Sequence, residues 1–297
     1  MSFDEVRLDD ATLYLARELE QIKSKVYDQP LPELKGRKHI PMTEEPAGPG
    51  AETYTYRVLT AVGQAALGLG FPRVDSHIKE ITQRIEPLTS SYGYTFQEVR
   101  AAMMAKRPLS VTRAMAAKRA IAEREDNLIY FGNNEAGIMG IFNNPNVPIV
   151  VLPHAINASS TPDQIIETFT QLISNSFIVG QRMPDTILMS QQAWIHVTTR
   201  RLTDVGTNLY KYMQSVFPGI SFDWCVPCRT AGYGESEVLF AYRRSTEFIQ
   251  LEVAHDFEQL PPDVFSTETI VNCHERFGGV SNVYPLYTAI GELPAAS

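Results

Sequence analysis

The chain has 297 residues, 44% of them hydrophobic and 20% charged, as in a globular protein with a packed core. Its formal net charge of −8 and pI of about 5.3 argue against a function that depends on an overall basic surface, such as sequence-specific nucleic-acid binding. Three cysteines are too few for a disulfide framework and fit a reducing compartment.

The N-terminal segment predicts an arm rather than a targeting signal. The first ten residues are acidic and polar, so no secretory signal is expected, and no apolar run reaches the roughly 18–20 residues that cross a bilayer. Residues 9–27 predict an amphipathic helix, because apolar residues recur at i+4, i+7 and i+11 from Leu15. That helix packs either on its own core or on a neighbouring chain. Prolines and glycines in residues 28–50 then predict an extended connector.

Two extended runs follow the connector. Residues 51–60 alternate in side-chain character, with Tyr54 and Tyr56 on one side and Arg57 on the other, which predicts a strand. Residues 74–85 form the second run. Because an isolated two-stranded hairpin is marginal in water, a hairpin that projects from the fold should rest on another chain.

The strongest local pattern is a predicted rod. Helical spacing begins at Thr95 and is interrupted at Lys106–Pro108, and residues 110–130 are strong helix formers with almost no breakers. Such a helix is about 30 Å long at roughly 1.5 Å per residue, and Gly132 should end it. The i, i+4 pair Arg119–Glu123 and the neighbouring Arg124 indicate a solvated face, although the same charges could pair between subunits.

Residues 149–260 mix helical and strand periods, which predicts an α+β or α/β arrangement. Pro162 opens a helix, a buried strand ends at Met189, and Ser190 caps the next helix. Val238–Tyr242 and Phe248–Val253 are predicted to be paired strands. Beyond them, strands from Thr269 and from Val280 are predicted to form a hairpin through Gly278 and Gly279.

Chemical motifs are weak. Cys225 and Cys228 form a CxxC pair, which can be a redox dithiol or half of a zinc site. The residues after this pair favour a loop. The only further zinc ligands of suitable type would be Cys273 and His274, which are adjacent to each other, and adjacent residues rarely both bind one ion well. A structural role for Cys225 and Cys228 is therefore favoured. Six scattered histidines form neither HExxH nor HxH and are expected to be surface or polar core residues. A Ser/His/Asp arrangement stays open, without a GxSxG motif to support it, and the glycine runs do not make a phosphate loop.

The order of these parts carries a resemblance that no single motif carries. It rests on these segments: Ala16–Glu20, Val26–Asp28, Gly50–Arg57, Pro72–Asp75, Tyr92–Thr95, Arg113–Asn127, Gly137–Gly140, Asn144–Val147, Pro184–Thr186, Gly278–Val280 and Tyr284–Pro285. In this order the chain resembles the major capsid proteins of tailed bacteriophages, whose Hong Kong 97 fold is shared with encapsulins. One departure is Thr60–Ala66, which is less charged than the run after the first strand in those relatives.

The resemblance implies an α+β fold in four parts. Residues 1–48 would be an N-terminal arm and 49–86 an extended loop over a neighbour. Residues 87–135 and 263–297 would form a peripheral domain with 110–131 as its spine helix, and 136–262 an axial domain around five-fold and quasi-six-fold axes.

The implied function is that of a shell protein. Pentamers and hexamers would close an icosahedral shell around phage double-stranded DNA, in the virion, after assembly in the host cytoplasm. Expected partners are other copies of the chain, a portal, separate scaffolding and decoration proteins, and DNA without sequence specificity; no enzyme activity, cofactor, metal or membrane is expected. Alternatives are an encapsulin-like compartment and, in another class, a zinc or thiol enzyme using Cys225 and Cys228. The residues expected at inter-subunit contacts are Tyr54, Tyr56, Arg57, Arg73, Lys79, Arg119, Glu123 and Arg124.

Overall fold

A computed structural model describes residues 33–62, 75–105, 111–180, 182–202, 206–265 and 267–294. The chain divides into two units, Met1–Glu33 and Leu34–Ser297, and every element below belongs to the second. The helix predicted at residues 9–27 and the predicted contact residue Arg73 lie outside the described residues.

The helices of the described residues include one long rod. They are α1 (Gly36–His39), α2 (Phe96–Ala105), α3 (Val111–Phe131), α4 (Pro162–Gly180), α5 (Gln191–Thr199) and α6 (Leu209–Val216), with short 3-10 turns at Pro227–Arg229, Tyr233–Glu235 and Pro285–Tyr287. No described helix combines the length and apolar character that a membrane crossing requires.

The strands form three sheets. They are β1 (Thr53–Val62), β2 (Asp75–Arg84), β3 (Glu86–Thr95), β4 (Ile149–Val151), β5 (Thr186–Met189), β6 (Ser221–Trp224), β7 (Val238–Tyr242), β8 (Ile249–Gln259), β9 (Asp263–Val264), β10 (Glu268–Asn282) and β11 (Ala289–Glu292). β1 pairs with β2 alone, the second sheet has the order β3-β10-β8 with β9 also paired to β10, and the third has the order β4-β11-β7-β5-β6.

The predicted rod is confirmed as α3, which we call the spine helix. It packs on β3 and β10 through its buried face, which includes Ala117, Ile121 and Leu128. Gly132 ends it with φ at +61°, and its amide donates to the carbonyl oxygen of Leu128 at 2.9 Å. A left-handed residue closing the last turn is a common helix stop, and glycine adopts it without a Cβ penalty.

Two buried hydrophobic cores meet at the five-stranded sheet. Alternate residues of β7 face different cores: Phe240 and Tyr242 join the spine helix and the four-stranded sheet, whereas Leu239 and Ala241 face α4, α5 and α6. This alternation follows from the strand period of two. β7 is therefore buried on both faces.

The predicted pairing of Val238–Tyr242 with Phe248–Val253 is wrong. β7 has β5 on one edge and β11 on the other, so both of its edges are occupied, and β8 pairs with β10 in a different sheet. The connection between β7 and β8 is short enough for a hairpin, but each of the two strands pairs with other strands in the folded chain.

The predicted hairpin at Gly278 and Gly279 is also wrong. β10 runs through both glycines as one strand of 15 residues, and its pairing with β8 shifts register between Phe277 and Gly279. The shift is a β-bulge, which bends a strand without ending it.

Sheet membership bears on the expected domain boundaries. β8 lies within residues 136–262 of the expected axial domain but pairs with β10, whereas β11 lies within residues 263–297 of the expected peripheral domain but pairs with β4 and β7. A division by sheet would exchange these two strands between the domains.

Candidate functional site

The hairpin of β1 and β2 is a ribbon with one anchored end. It has ten residue pairs, from Thr53 opposite Arg84 to Val62 opposite Asp75. At about 3.4 Å per residue it is about 30 Å long. Among the described residues these strands pair only with each other, and Ile78 on β2 is 61% exposed. A ribbon of this kind needs packing from outside itself to be stable.

The base of the hairpin is held by one phenol. The Tyr54 hydroxyl hydrogen-bonds Gln83 on β2, lies 3.0 Å from the Ser281 Oγ and donates to the carbonyl oxygen of Gly278 at 3.2 Å. Ser281 in turn donates to the buried Glu252 carboxylate at 2.9 Å. We call Glu252, Gly278 and Ser281 the hairpin seat. Burial raises the pKa of Tyr54, so the phenol stays protonated and can donate.

Gly278 makes room for this phenol. A Cβ at position 278 would lie 2.8 Å from the Tyr54 Cε1 atom and 3.1 Å from the Glu252 Cβ. The next residue, Gly279, has φ at +85°, and the Val280 amide donates to the Met139 carbonyl oxygen at 2.7 Å. The two glycines therefore serve close approach and a bulge, which sequence alone does not separate from a turn.

A second anchored segment, Lys35–His39, lies where the described chain begins, and we call it the strap. Its backbone is held at Gly36, whose amide donates to the Asp126 carboxylate of the spine helix at 2.7 Å. Lys38 Nζ lies 2.7 Å from an oxygen of Asp223 on β6, and Lys35 Nζ lies 3.4 Å from the other. Lys35 also sits 3.3 Å above the centre of the Trp224 ring, in a cation–π contact.

Arg37 is the centre of the strap. Its guanidinium contacts Glu125 of the spine helix at 2.7 Å, Glu275 of β10 at 2.7 Å and Asp256 of β8 at 2.9 Å. Glu125 and Glu275 are only 4% and 2% exposed. Burial raises the pKa of Glu125 to about 7, against the hydrogen bond from Arg37 that lowers it, and burial also raises the pKa of Glu275. One cation thus joins the spine helix to two paired strands of the four-stranded sheet, β8 and β10.

His39 extends the strap toward the five-stranded sheet. Its Nδ1 lies 2.7 Å from the Tyr130 hydroxyl, and the Tyr242 hydroxyl donates to its carbonyl oxygen at 2.7 Å. Burial lowers the pKa of His39 to about 4, so the imidazole is neutral at neutral pH. The strap therefore fixes the start of the described chain to the spine helix and to both large sheets.

Comparison with known proteins decides what kind of protein carries this ribbon and strap. The model of the major capsid protein family matches residues 63–290. The chain belongs to the major capsid protein family. It is a capsid shell protein that assembles with copies of itself, its place is the virion, and membership of this family implies a structural role.

Solved capsid structures share the fold at low sequence identity. The capsid of Myoviridae phage XM1 superposes with a TM-score of 0.77 at 16% identity, over 94% of this chain and 98% of that one. The capsid of a native GTA particle gives 0.66 at 11% identity, over 93% and 95%. A virus-like particle from Pyrococcus furiosus gives 0.55 at 12% identity, over 86% and 91%. No curated protein matches the chain. The expected Hong Kong 97-type α+β capsid fold is confirmed.

The predicted contact residues of this capsid protein lie on the ribbon and on the spine helix. Tyr54 is committed to the hairpin seat, and Tyr56 stacks beside it with ring centroids 6.4 Å apart. Arg57 lies 2.8 Å from Glu80 across the ribbon, and this pair is 72% and 56% exposed. Lys79 is exposed beside them. Apart from Tyr54, these side chains remain accessible to a neighbour, and their role between subunits stays a prediction.

On the spine helix, Arg119 and Glu123 form the expected i, i+4 pair at 2.7 Å, and Arg124 is exposed.

A contact that sequence reasoning missed lies nearer the helix start. Arg113 binds both carboxylate oxygens of Glu98, at 2.8 and 3.0 Å, and donates to the Gly93 carbonyl oxygen. The hydrogen bond from Arg113 lowers the pKa of Glu98 to about 2. This exposed pair links α2 to the start of the spine helix.

The cysteine pair does not have the environment of a reactive thiol. Cys225 and Cys228 are buried with their sulfur atoms 2.6 Å apart, and Cys228 lies in a 3-10 turn. Burial raises the pKa of the Cys228 thiol. Reactive cysteines are partly exposed and have depressed pKa values, so this environment favours the structural interpretation.

Proposed function

We propose that copies of this chain form rings of five and six, and that the rings join at their edges into an icosahedral shell around double-stranded DNA. Head-to-tail contacts close into rings when the rotation between copies closes. The observation that supports this proposal is the ribbon: it is seated at one end by Tyr54, and along its length it pairs with no other strand among the described residues.

In the proposed shell, the ribbon lies over a neighbouring subunit. The hairpin seat fixes its direction, so the exposed side chains of Arg57 and Lys79, the half-buried Tyr56 and also Arg73 contact the neighbour. Burial of Ile78 would contribute apolar area to the same contact, since its side chain is largely exposed in the single chain. Each subunit would then complete the packing of the next one.

The spine helix supplies the second proposed contact. Glu123 and Arg124 are exposed and Arg119 is half-buried beside them, and we propose that these charges also contact an adjacent copy. We also propose the four-part division into arm, extended loop, peripheral domain and axial domain, with β8 and β11 exchanged as their sheets suggest. The axial part would gather around the ring axes.

The remaining partners follow from the proposed role. A portal, a separate scaffolding protein and decoration proteins would complete the particle, assembly would take place in the host cytoplasm, and contacts with packaged DNA would be non-specific and dependent on salt. No catalytic step is proposed.

A second candidate is an encapsulin-like compartment that encloses protein. The structural similarity of the chain to the Pyrococcus furiosus virus-like particle supports this candidate, although its similarity to the phage XM1 capsid is higher. The content of purified particles separates the two candidates, because DNA raises the ratio of nucleic-acid to protein absorbance.

Negative-stain electron microscopy of the purified chain tests the proposed assembly. We expect closed shells with five-fold vertices, or rings of five and six under conditions that prevent closure. A protein that stays monomeric at high concentration, with and without co-expressed phage assembly proteins, would contradict the proposal.

A further inference from the structure

Two imidazoles and one carboxylate meet where β8 bulges against β10. Glu258 lies opposite His274 in the register, and His255 lies opposite Arg276. Three steps along β8 therefore match two steps along β10, so β8 carries one extra residue here. In a regular strand, residues three apart point to opposite faces; the bulge instead brings His255 and Glu258 to the same face.

The two residues inside the bulge show which face this is. Asp256 reaches Arg37 of the strap at 2.9 Å, and Phe257 lies under Lys118 of the spine helix, with Nζ 5.6 Å from its ring centroid. Both therefore point toward the spine helix. His255 and Glu258 point away from it, where they meet His274.

The three side chains form a compact donor set. The rings of His255 and His274 stack with centroids 5.4 Å apart and an interplanar angle of 27°. His255 Nε2 lies 2.7 Å from Glu258 Oε2, and His274 Nε2 lies 4.0 Å from the same oxygen. One ligand atom from each residue lies within 4.8 Å of the others. Both histidines thus converge on one carboxylate.

We propose that His255, Glu258 and His274 bind a divalent transition-metal ion, with Zn²⁺ as the preferred ion. Two imidazole nitrogens and a carboxylate oxygen suit Zn²⁺, at bond lengths of about 2.0–2.2 Å, and leave a fourth position for water. They suit Mg²⁺ and Ca²⁺ poorly, because those ions prefer oxygen ligands.

The required movement is small and falls on the most exposed member of the set. Glu258 is 52% exposed, so its carboxylate can turn to share one ion between the rings. The bulge holds the two histidines on adjacent strands. The bound ion would therefore join β8 to β10 across the bulge and stabilise the folded chain by mass action.

The chain contains a matched comparison. His154 lies 3.2 Å from Glu167, which is an ordinary histidine–carboxylate contact without a second imidazole. If His255 and Glu258 formed only such an ion pair, His154→Ala and His255→Ala would affect zinc binding equally. A three-ligand site predicts that only His255→Ala weakens it.

Isothermal titration of the full chain with ZnCl₂ tests the proposal. We expect one ion per chain and a rise in melting temperature at saturation. His255→Ala, His274→Ala and Glu258→Gln should each weaken binding by about tenfold or more, in line with the sensitivity of metal sites to loss of a ligand or its support. His154→Ala should bind like the wild type. No binding by the wild type, or equal binding by the histidine variants, would overturn the proposal.

A second measurement separates this site from the cysteines and does not depend on the folding of a histidine variant. Co²⁺ bound to the chain should show visible d–d bands without a thiolate-to-cobalt charge-transfer band, and Cys225→Ser/Cys228→Ser should leave the spectrum unchanged. A thiolate band, or loss of binding in the double serine variant, would assign the ion to the cysteines and overturn the proposal. An excess of Mg²⁺ that displaced Co²⁺ would also contradict it.

Discussion

The strap and the hairpin differ in where their charged and polar groups find partners. In the strap, Lys35, Arg37 and Lys38 all find carboxylates within their own chain, and Gly36 is held through its backbone amide. In the hairpin, the cross-strand ion pair of Arg57 and Glu80 lies in solvent. The strap satisfies its charges within the subunit, whereas the hairpin leaves its surface exposed. This difference fits the proposal that a neighbouring subunit completes the packing of the hairpin.

The largest effect on the subunit itself should come from the centre of the strap. Arg37→Ala leaves Glu125 and Glu275 buried without their cation, which costs about 3–5 kcal/mol of unfolding free energy. Arg57→Ala, its counterpart in the hairpin, should cost the unassembled subunit under about 1 kcal/mol, because the lost pair is exposed. Urea unfolding of unassembled subunits measures both, and equal losses would remove the contrast between the two regions.

The next largest effect should be a dependence of the subunit's stability on pH, through the carboxyl of Glu125 in the same cluster. The pKa of Glu125 in the folded chain, about 7, is above the ordinary 4.5, so the folded state holds its proton more tightly than the unfolded state. The resulting stability is complete below pH 4.5 and is lost as the pH rises through 7. The full rise of the pKa from 4.5 to about 7 is worth about 3.5 kcal/mol at about 1.4 kcal/mol per pKa unit, and we expect on the order of 2–3 kcal/mol of it to be lost between pH 5 and pH 8.

Glu125→Gln imitates the protonated carboxyl, so it should weaken this fall in stability and make the subunit more stable than the wild type at pH 8. Glu123→Gln is the matched control, since Glu123 lies on the same helix and pairs with Arg119 but is itself 44% exposed. Urea midpoints at pH 5 and pH 8 provide the measurement. If the stability of Glu125→Gln fell with pH as steeply as that of the wild type, the Glu125 carboxyl would not be the source of the pH dependence.

A smaller change at the hairpin seat should affect assembly more than folding. Gly278→Ala places a Cβ 2.8 Å from the Tyr54 ring and should cost about 1–3 kcal/mol through overpacking, while it displaces the base of the ribbon. Gly50→Ala is the control, because a Cβ there meets no atom within 4 Å. We expect fewer or misshapen shells from Gly278→Ala by electron microscopy and normal shells from Gly50→Ala. Normal shells from both variants would show that the geometry of the hairpin seat does not affect assembly.

The hairpin and the spine helix could be predicted because their patterns are local. Alternation in residues 51–60 and a run of helix formers from Ser110 each specify one backbone period, and the structure confirms both. The strap could not be predicted in this way. Arg37 meets Glu125, Asp256 and Glu275, which lie 88, 219 and 238 residues away. Basic residues in a proline-rich connector otherwise resemble a solvated surface.

The errors at β7 and β10 have the same origin. Gly278 and Gly279 signal a departure from regular strand, but a turn and a bulge that admits a tyrosine ring use the same residue type. Only the position of Tyr54, more than 200 residues earlier in the chain, distinguishes them. Likewise, the cluster of His255, Glu258 and His274 depends on one extra residue in β8, and the histidine spacing in the sequence gives no sign of it.

The most direct test of the central claim shortens the ribbon and leaves its seat intact. Replacing residues 58–79 by an Asn-Gly turn keeps Tyr54, Gln83 and the hairpin seat but removes most of the exposed strand length. We predict that this variant gives a folded subunit by circular dichroism and size-exclusion chromatography, and no closed shells in electron micrographs where the wild type forms them. Shells of normal size and yield from the shortened chain would contradict the claim that the ribbon is completed by a neighbouring subunit.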